Sequence, residues 1–310
     1  MFSVIFPGQG SQMVGMGKDL YLKFPIVKNL FKEADEILKF PISKLILEGP
    51  KDELNLTENT QPAIFLASYS ICQMIKMESN FNLNEAKYFA GHSLGEYSAL
   101  AISGSLNFQD TIKLLNERGR AMQEAVPKGA GGMIAVLGVD IKEINNLLED
   151  NKDNCKCYIA NDNSNGQIVL SGFSQDIDKF IDILKTKKIK NIKLPVSAPF
   201  HCELMDKATS IMSNKINNTK FEEPKNPIIS NVTGQETQQI EKIKDLLIKQ
   251  IESPVRWRES VIYMIKNGVS NFIEIGPGKV LSGLVKRIDK TVNVNTINKL
   301  EDLKDIKLND

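Results

Sequence analysis

Histidine is scarce in this chain: His92 and His201 are the only two in 310 residues. A reaction that needs an imidazole base therefore has two candidates at most. Cysteine is scarce as well, with four residues: Cys72, Cys155, Cys157 and Cys202. Four in a chain this long do not build a disulfide framework. Cys155-x-Cys157 has no second pair at metal-ligand spacing and reads as two ordinary thiols. An excess of one charge is missing too, since 39 Lys+Arg face 38 Asp+Glu for a net charge of +1. That balance argues against a protein whose task is to coat nucleic acid or an anionic membrane. No stretch approaches the ~18 consecutive apolar residues of a spanning helix. A strand-like run, Phe2-Ser3-Val4-Ile5-Phe6, begins at once and leaves no room for a targeting peptide. The expectation is a cytoplasmic protein of a reducing compartment that acts on neither nucleic acid nor membrane.

What remains is ordinary globular composition, 42% apolar and 25% charged. The length allows about two domains, or one large domain with an insertion. From Met1 to about Ala125, strand-like runs (Phe2–Phe6, Lys87–Gly91) alternate with helical patterns near 27–38, 62–77, 94–102 and 108–125. Such alternation predicts a parallel sheet covered by helices. Pro127-Lys128-Gly129-Ala130-Gly131-Gly132 interrupts it and reads as a linker. The next segment is compact. Strand patterns at 133–138, 156–160, 167–171 and 189–194 enclose helical ones at 141–149 and 174–186, with a turn at Asn163-Ser164-Asn165-Gly166. The order βαββαβ is the ferredoxin-like unit. After Pro195 larger elements resume, ending in a strand at 272–275, the loop Gly276-Pro277-Gly278 and a helix to Ile288. The fold class predicted is α/β: a large domain, residues 1–126 and 197–310, with a ferredoxin-like domain, 127–196, inserted.

Chemistry starts at Gly91-His92-Ser93-Leu94-Gly95, a G-x-S-x-G between a strand and a helix. This is the arrangement of a nucleophile elbow, in which glycines relieve crowding in a sharp turn that lifts the Ser oxygen clear of the backbone. The following helix aims free N–H groups at the space above, where an oxyanion could form. Chance alone supplies the pattern in roughly one such chain in ten, so the flanking strand and helix carry the inference. A serine nucleophile needs a base. His92 adjoins Ser93, and adjacent side chains diverge, so His201 is the remaining candidate. Cys202 beside it has nothing to activate it and reads as a packed thiol.

Arg118 stands four residues after Leu114, three after Leu115 and four before Met122, on the apolar stripe of its helix. Arg120 shares a face with Asn116 and Glu124 and reads as solvated. An inward Arg needs a partner. A structural Asp or Glu and a substrate carboxylate gripped bidentately satisfy this equally well at this point. Phe6-Pro7-Gly8-Gln9-Gly10-Ser11-Gln12 is no dinucleotide fingerprint, because Met13 replaces the third Gly. Gly17-Lys18 is no phosphate loop either, with Gln12 in place of the first Gly and Asp19 in place of Ser/Thr.

Taken in order, Phe6-Pro7-Gly8-Gln9-Gly10-Ser11-Gln12, Gly91-His92-Ser93-Leu94-Gly95-Glu96, Arg118-Gly119, Pro199-Phe200-His201-Cys202, Pro254-Val255-Arg256-Trp257 and Gly276-Pro277-Gly278 resemble the malonyl-CoA:acyl carrier protein transacylases. The resemblance runs from about Phe2 to Ile288. It implies an α/β-hydrolase-like large domain with a ferredoxin-like insert, and a Ser93–His201 dyad whose imidazole is oriented by the main-chain carbonyl of Gln250. It implies an oxyanion hole from the N–H groups of Gln9 and Leu94, and shifts Arg118 toward the malonyl carboxylate. Leu94 and Phe200 are similar to the residues of malonyl-selective rather than methylmalonyl-selective members. The implied reaction is ping-pong: malonyl passes from malonyl-CoA to Ser93 and then to the carrier protein's phosphopantetheine thiol, for fatty-acid synthesis. No metal or bound cofactor is required, and a monomer is expected. The large excess of Lys over Arg, 34 against 5, is surface drift.

Other classes fit less well. A lipase or esterase usually places an acid between Ser and His and lacks an inward Arg. A patatin-like lipase uses an Asp-Gly pair, and this chain has none. A docking module has no need of Ser93, His201 and Arg118 together. Acyl carrier proteins of this pathway are acidic, so a basic docking face is expected. Lys185, Lys187, Lys188, Lys190 and Lys193 form a run free of acids, and Lys286 and Arg287 end the last helix. Lys188, Lys190, Lys286 and Arg287 are the candidate docking residues, with a plain solvated face as the alternative.

Overall fold

In the computed structural model, which describes residues 1–196 and 198–305, ten strands form two sheets. They are β1 (Phe2–Phe6), β2 (Tyr88–Gly91), β3 (Gly131–Leu137), β4 (Cys157–Ser164), β5 (Gln167–Phe173), β6 (Lys190–Lys193), β7 (Ile228–Ile229), β8 (Glu236–Thr237), β9 (Asn271–Ile275) and β10 (Asn293–Ile297). The larger sheet runs β10-β9-β1-β2-β7-β8 and is parallel except for the β7–β8 pair. β1, β2 and β9 are buried at every position, which explains their mostly apolar sequences, broken only by Ser3, Asn271 and Glu274. Side chains alternate between two cores. Val4 and Phe6 join Phe31, Phe65 and Leu115 on one face, whereas Ile5 joins Trp257, Val261 and Leu284 on the other.

The second sheet has the order β4-β5-β3-β6 and is antiparallel throughout. Helices Ile141–Asp150 and Ser174–Thr186 interleave with its strands in the order read from the sequence. One face packs on them through Ile134, Val136, Leu170, Phe180 and Leu184. The opposite face sends Met133, Ala135, Ala160 and Val169 into the large core. A mixed α/β architecture with a parallel sheet and a separate antiparallel one is therefore present. The expected junction at Ser197 lies outside the described residues, as do 306–310 of the expected large domain.

Three local expectations need correction. The turn expected over Asn163–Gly166 is only Asn165-Gly166, because β4 continues to Ser164 and β5 starts at Gln167. Polar residues there looked like loop, but Asn161, Asp162 and Asn163 are buried against partners from the other sheet's side. Asp162 takes Arg258 in a two-pronged ion pair at 2.7–3.0 Å, and Asn163 meets His92. Gly131 and Gly132, read as linker, already pair with Phe173 and Gly172 in β3. A last strand, β10, follows the helix Val280–Ile288. Its sequence, Asn293-Val294-Asn295-Thr296-Ile297, has no clean alternation, and all but Ile297 are half-buried at the sheet edge.

Candidate active site

β1 and β2 end side by side, with Phe6 opposite Gly91. Pro7-Gly8-Gln9 and His92-Ser93-Leu94 thus leave the same carboxyl edge of the sheet, where open parallel sheets carry their ligands. The chain reverses at Ser93, whose φ of 53° is left-handed. That conformation costs a non-glycine residue ~1–3 kcal/mol and persists only where its surroundings enforce it. Gly91 lets the turn close, since a Cβ there would lie 1.9 Å from the carbonyl carbon of Gly95. Asn231 braces the turn. Its Oδ1 accepts from Ser93 N at 2.7 Å and its Nδ2 donates to Gly91 O at 2.7 Å.

Ser93 Oγ lies 2.9 Å from His201 Nε2, and His201 Nδ1 lies 2.9 Å from the Gln250 carbonyl oxygen. A carbonyl can only accept, so Nδ1 carries the hydrogen and Nε2 is left to accept from the Ser hydroxyl. Gln250 ends the helix Ile240–Gln250. Terminal helix carbonyls lack intrahelical partners and form the negative end of the dipole, which suits them to orient an imidazole N–H. Burial, and next the neighbouring Arg118 guanidinium, push His201 down to about 3. It is a neutral base across the physiological range.

Arg118, on the helix Phe108–Glu124, is 1% exposed. Its NH1 donates to Gln61 Oε1 at 2.7 Å, and its NH2 to Gln250 Oε1 at 2.8 Å and Ser93 Oγ at 3.1 Å. The guanidinium carbon lies 5.6 Å from the Tyr97 ring centroid. Among the described residues its hydrogen-bond partners are amides and a hydroxyl, with no carboxylate. Packing puts Arg118 beside Gln61. Pro62 has no N–H, which frees the Glu58 carbonyl to accept from Asn116 Nδ2 at 3.0 Å. Gly119 comes so close to the helix Thr57–Glu78 that a Cβ would stand 2.5 Å from the Thr57 carbonyl oxygen. Arg120, as expected, is exposed and pairs with Glu117.

These groups border a cavity of about 100 Å³, lined also by Gln9, Leu94, Met122, Phe200, and Met133, Asn161, Leu194 and Val196 from the antiparallel sheet's side. Gln9, Leu94 and Phe200 thus line the same cavity as Ser93. Neither the Gln9 nor the Leu94 main-chain N–H donates to another described residue. A second cavity of about 190 Å³ shares Gln9, His92, Asn161 and Leu194 with the first and continues to Asn163 and Gln167. His92 turns away from Ser93, with Nε2 at 2.8 Å from Asn163 Oδ1 and its ring against Trp257. Cys202 is buried, donates to the Pro199 carbonyl, and its thiol pKa is raised by burial.

The lysine run is less bare than its sequence. Lys185 pairs with Asp182 and Lys193 with Asp178, both acids of the helix Ser174–Thr186. Lys188 and Lys190 are exposed and form no ion pair among the described residues. Lys286 donates to the Val292 carbonyl and Arg287 to Gln167 Oε1, both at 2.6 Å.

Sequence reasoning missed Gln61, Glu96 and Asn231. Glu96 offered a signal: it is the single carboxylate in Gly95–Ile102, a helix otherwise apolar or small. Gln61 similarly precedes the apolar stretch Pro62–Ala67. Asn231 offered none, since its place depends on β7 lying next to β2.

A serine hydroxyl on a neutral imidazole, with a buried cation 3.1 Å away, can accept and release an acyl group. The comparisons agree with this chemistry. The model of the acyl transferase domain family matches residues 3–303, and the chain belongs to that family. It is 43% identical over 288 residues to the malonyl CoA-acyl carrier protein transacylase of Bacillus subtilis, covering 92% of this chain and 90% of that protein. Among solved structures, the acyl-carrier-protein-S-malonyltransferase of Bartonella henselae is 39% identical with a TM-score of 0.93, covering 98% and 97% of the two chains. A malonyl-transacylase solved in complex with its type II PKS acyl-carrier protein is 38% identical, also with a TM-score of 0.93 and 98% and 97% coverage.

Proposed function

We propose that the chain transfers malonyl from malonyl-CoA to the phosphopantetheine thiol of an acyl carrier protein, through a malonyl ester on Ser93. The carrying observation is Arg118: a buried guanidinium 3.1 Å from Ser93 Oγ that hydrogen-bonds no carboxylate among the described residues and feels only the nearby charge of Glu96. An acyl group that brings its own carboxylate supplies the direct ionic partner that the described residues do not. The names and lengths of the relatives support this substrate pair.

In this reading His201 Nε2 takes the Ser93 proton as Oγ attacks the thioester carbon. The oxyanion rests on the N–H groups of Gln9 and Leu94. Collapse expels the coenzyme A thiol, protonated by His201, and leaves malonyl-Ser93 with its carboxylate on Arg118. The carrier's thiol then enters, His201 removes its proton, and the same steps run in reverse. The Gln250 carbonyl holds the imidazole in one tautomer throughout. Phe200 and Leu94 crowd the acyl carbon next to the carboxylate and favour malonyl over bulkier groups. The second cavity is a suitable path for the pantetheine arm.

We also propose that the chain comprises an α/β-hydrolase-like domain, 1–126 and 197–310, and a ferredoxin-like insert, 127–196. The strand order β4-β5-β3-β6 supports the insert. One chain supplies every residue of the site, in keeping with a monomer. No described helix is long and apolar enough to cross a membrane, and the proposed setting is the cytoplasm. An acidic carrier protein would dock on Lys188 and Lys190, with Lys286 and Arg287 as the second candidate pair.

Intact-protein mass spectrometry after brief mixing with malonyl-CoA tests the proposal. One malonyl adduct on Ser93, discharged by holo carrier protein, is expected. Hydrolysis without transfer to the carrier points to an esterase and sinks it.

A further inference from the structure

Glu96 is 2% exposed, in the first turn of the helix that follows Ser93, and touches none of the reacting atoms. Two donors converge on its Oε2: Asn231 N at 3.0 Å and Gln250 Nε2 at 2.7 Å. Gln250 is the junction of the site. Its main-chain carbonyl holds His201 Nδ1, and its side-chain Oε1 holds Arg118 NH2. The amide can face only one way. Around Nε2 stand three acceptors, Glu96 Oε2, Ser93 O at 3.2 Å and Asn231 Oδ1 at 3.4 Å, whereas Oε1 meets a guanidinium. Of these acceptors Glu96 is the nearest.

We propose that Glu96 is a positioning residue for the transfer: by accepting from Gln250 Nε2 it keeps the Gln250 oxygen on Arg118 and the Gln250 carbonyl on His201. Without this acceptor the buried Nε2 loses its shortest bond, and the amide turns toward other acceptors or flips. A flipped amide aims N–H groups at a guanidinium that can only donate. Arg118 then swings, the carboxylate seat is lost, and the His201 contact loosens because the same residue carries it. The inference rests on the proposed malonyl transfer.

The mechanism makes an unusual demand on the substitutions. Both donors use Oε2, so a proton or an amide nitrogen at the Oε1 position leaves them in place. Glu96→Gln therefore keeps the acceptor, whereas Glu96→Ala removes it. The readouts are acyl-enzyme formation from malonyl-CoA and acetyl-CoA, the split between kcat and KM, and thermal unfolding. Stranding a buried donor without its acceptor costs about 5- to 100-fold. We expect Glu96→Ala to lose about that factor with malonyl-CoA and distinctly less with acetyl-CoA, which does not use Arg118. Glu96→Gln should stay within about threefold of the parent enzyme with both. The proposal is overturned if Glu96→Ala keeps parental malonyl loading, if Glu96→Gln falls as far as Glu96→Ala, or if both substrates drop by one common factor. Should Glu96→Ala fail to fold, Glu96→Leu and the Glu96→Gln substrate ratio decide the matter by the same criteria. Failure of the parent enzyme to form any malonyl adduct would instead refute the transfer itself.

Discussion

At the scale of single residues, the proposed choice of acyl group rests on the buried cation. Arg118 was legible as inward-facing from its helical spacing, but its partner was not. The sequence left a structural acid and a substrate carboxylate equally open. In the folded chain Gln61, Gln250 and Ser93 hydrogen-bond it, and Glu96 acts on it only through its charge, so a directly bonded carboxylate can still come from the substrate. Truncating one member of a desolvated ion pair costs ~2–5 kcal/mol, or about 30- to 3,000-fold. Arg118→Ala should lose malonyl transfer by that factor while acetyl-CoA use holds steady or rises. Parallel acylation assays and thermal unfolding check this. Equal losses for both substrates, with a lowered Tm, would reassign Arg118 to a structural role.

At the scale of elements, the strand β6 ties a charged surface to the cavity. It pairs with β3 at the sheet edge and leads into Leu194, which lines both cavities. Four residues of strand place Lys190 ~13 Å from Leu194, within reach of a pantetheine arm. Of the five lysines in that run, Lys185 pairs three residues back with Asp182 on its own helix, and Lys193 pairs with Asp178, a contact that exists only once strand and helix meet on folding. Reversing charge at Lys188 and Lys190 should raise the KM for the carrier protein several-fold and leave malonyl loading from malonyl-CoA unchanged. The effect should fade with salt, as exposed electrostatics do. The same change at Lys286 and Arg287 is a less clean probe, because both already bind neighbouring groups. Equal loss of loading, or no change across a salt series, removes these residues from the docking face.

At the scale of the whole molecule, buried titratable groups set the pH range of stability, and they pull in opposite directions. Burial raises Glu96 from 4.5 to about 7 and raises Glu274 as well. Their contribution is complete below the ordinary carboxylate range and is lost as pH rises through the raised values. Burial lowers His201 from 6.5 to about 3 and lowers His92 too. Their contribution is complete above about 6.5 and is lost as pH falls toward the lowered values. Stability should therefore peak in mildly acidic solution. Glu96→Gln removes one alkaline loss, so its stability relative to the parent should improve between pH 5 and 8 by on the order of 3 kcal/mol. Denaturant unfolding at several pH values measures this, and parallel curves for the two proteins would contradict it.

The sequence by itself determined what rests on local chemistry. Apolar runs and helical spacing marked β1, β2, β9 and the main helices, because burial on both faces leaves its mark within a few neighbouring residues. Scarcity of histidine singled out His201, and G-x-S-x-G singled out Ser93. The tertiary structure decided everything that needs two distant segments at once. It decided that Asn163 and Ser164 belong to a strand rather than a turn, where Arg258 takes the buried Asp162 and His92 the buried Asn163. It decided that Arg118 meets amides, and that Asn231 and Glu96 share one hydrogen-bond network with Gln250. Periodicity reports which side of an element faces inward; only the packed chain decides which polar group waits there, because a hydrogen bond depends on ångström-scale placement of both its ends.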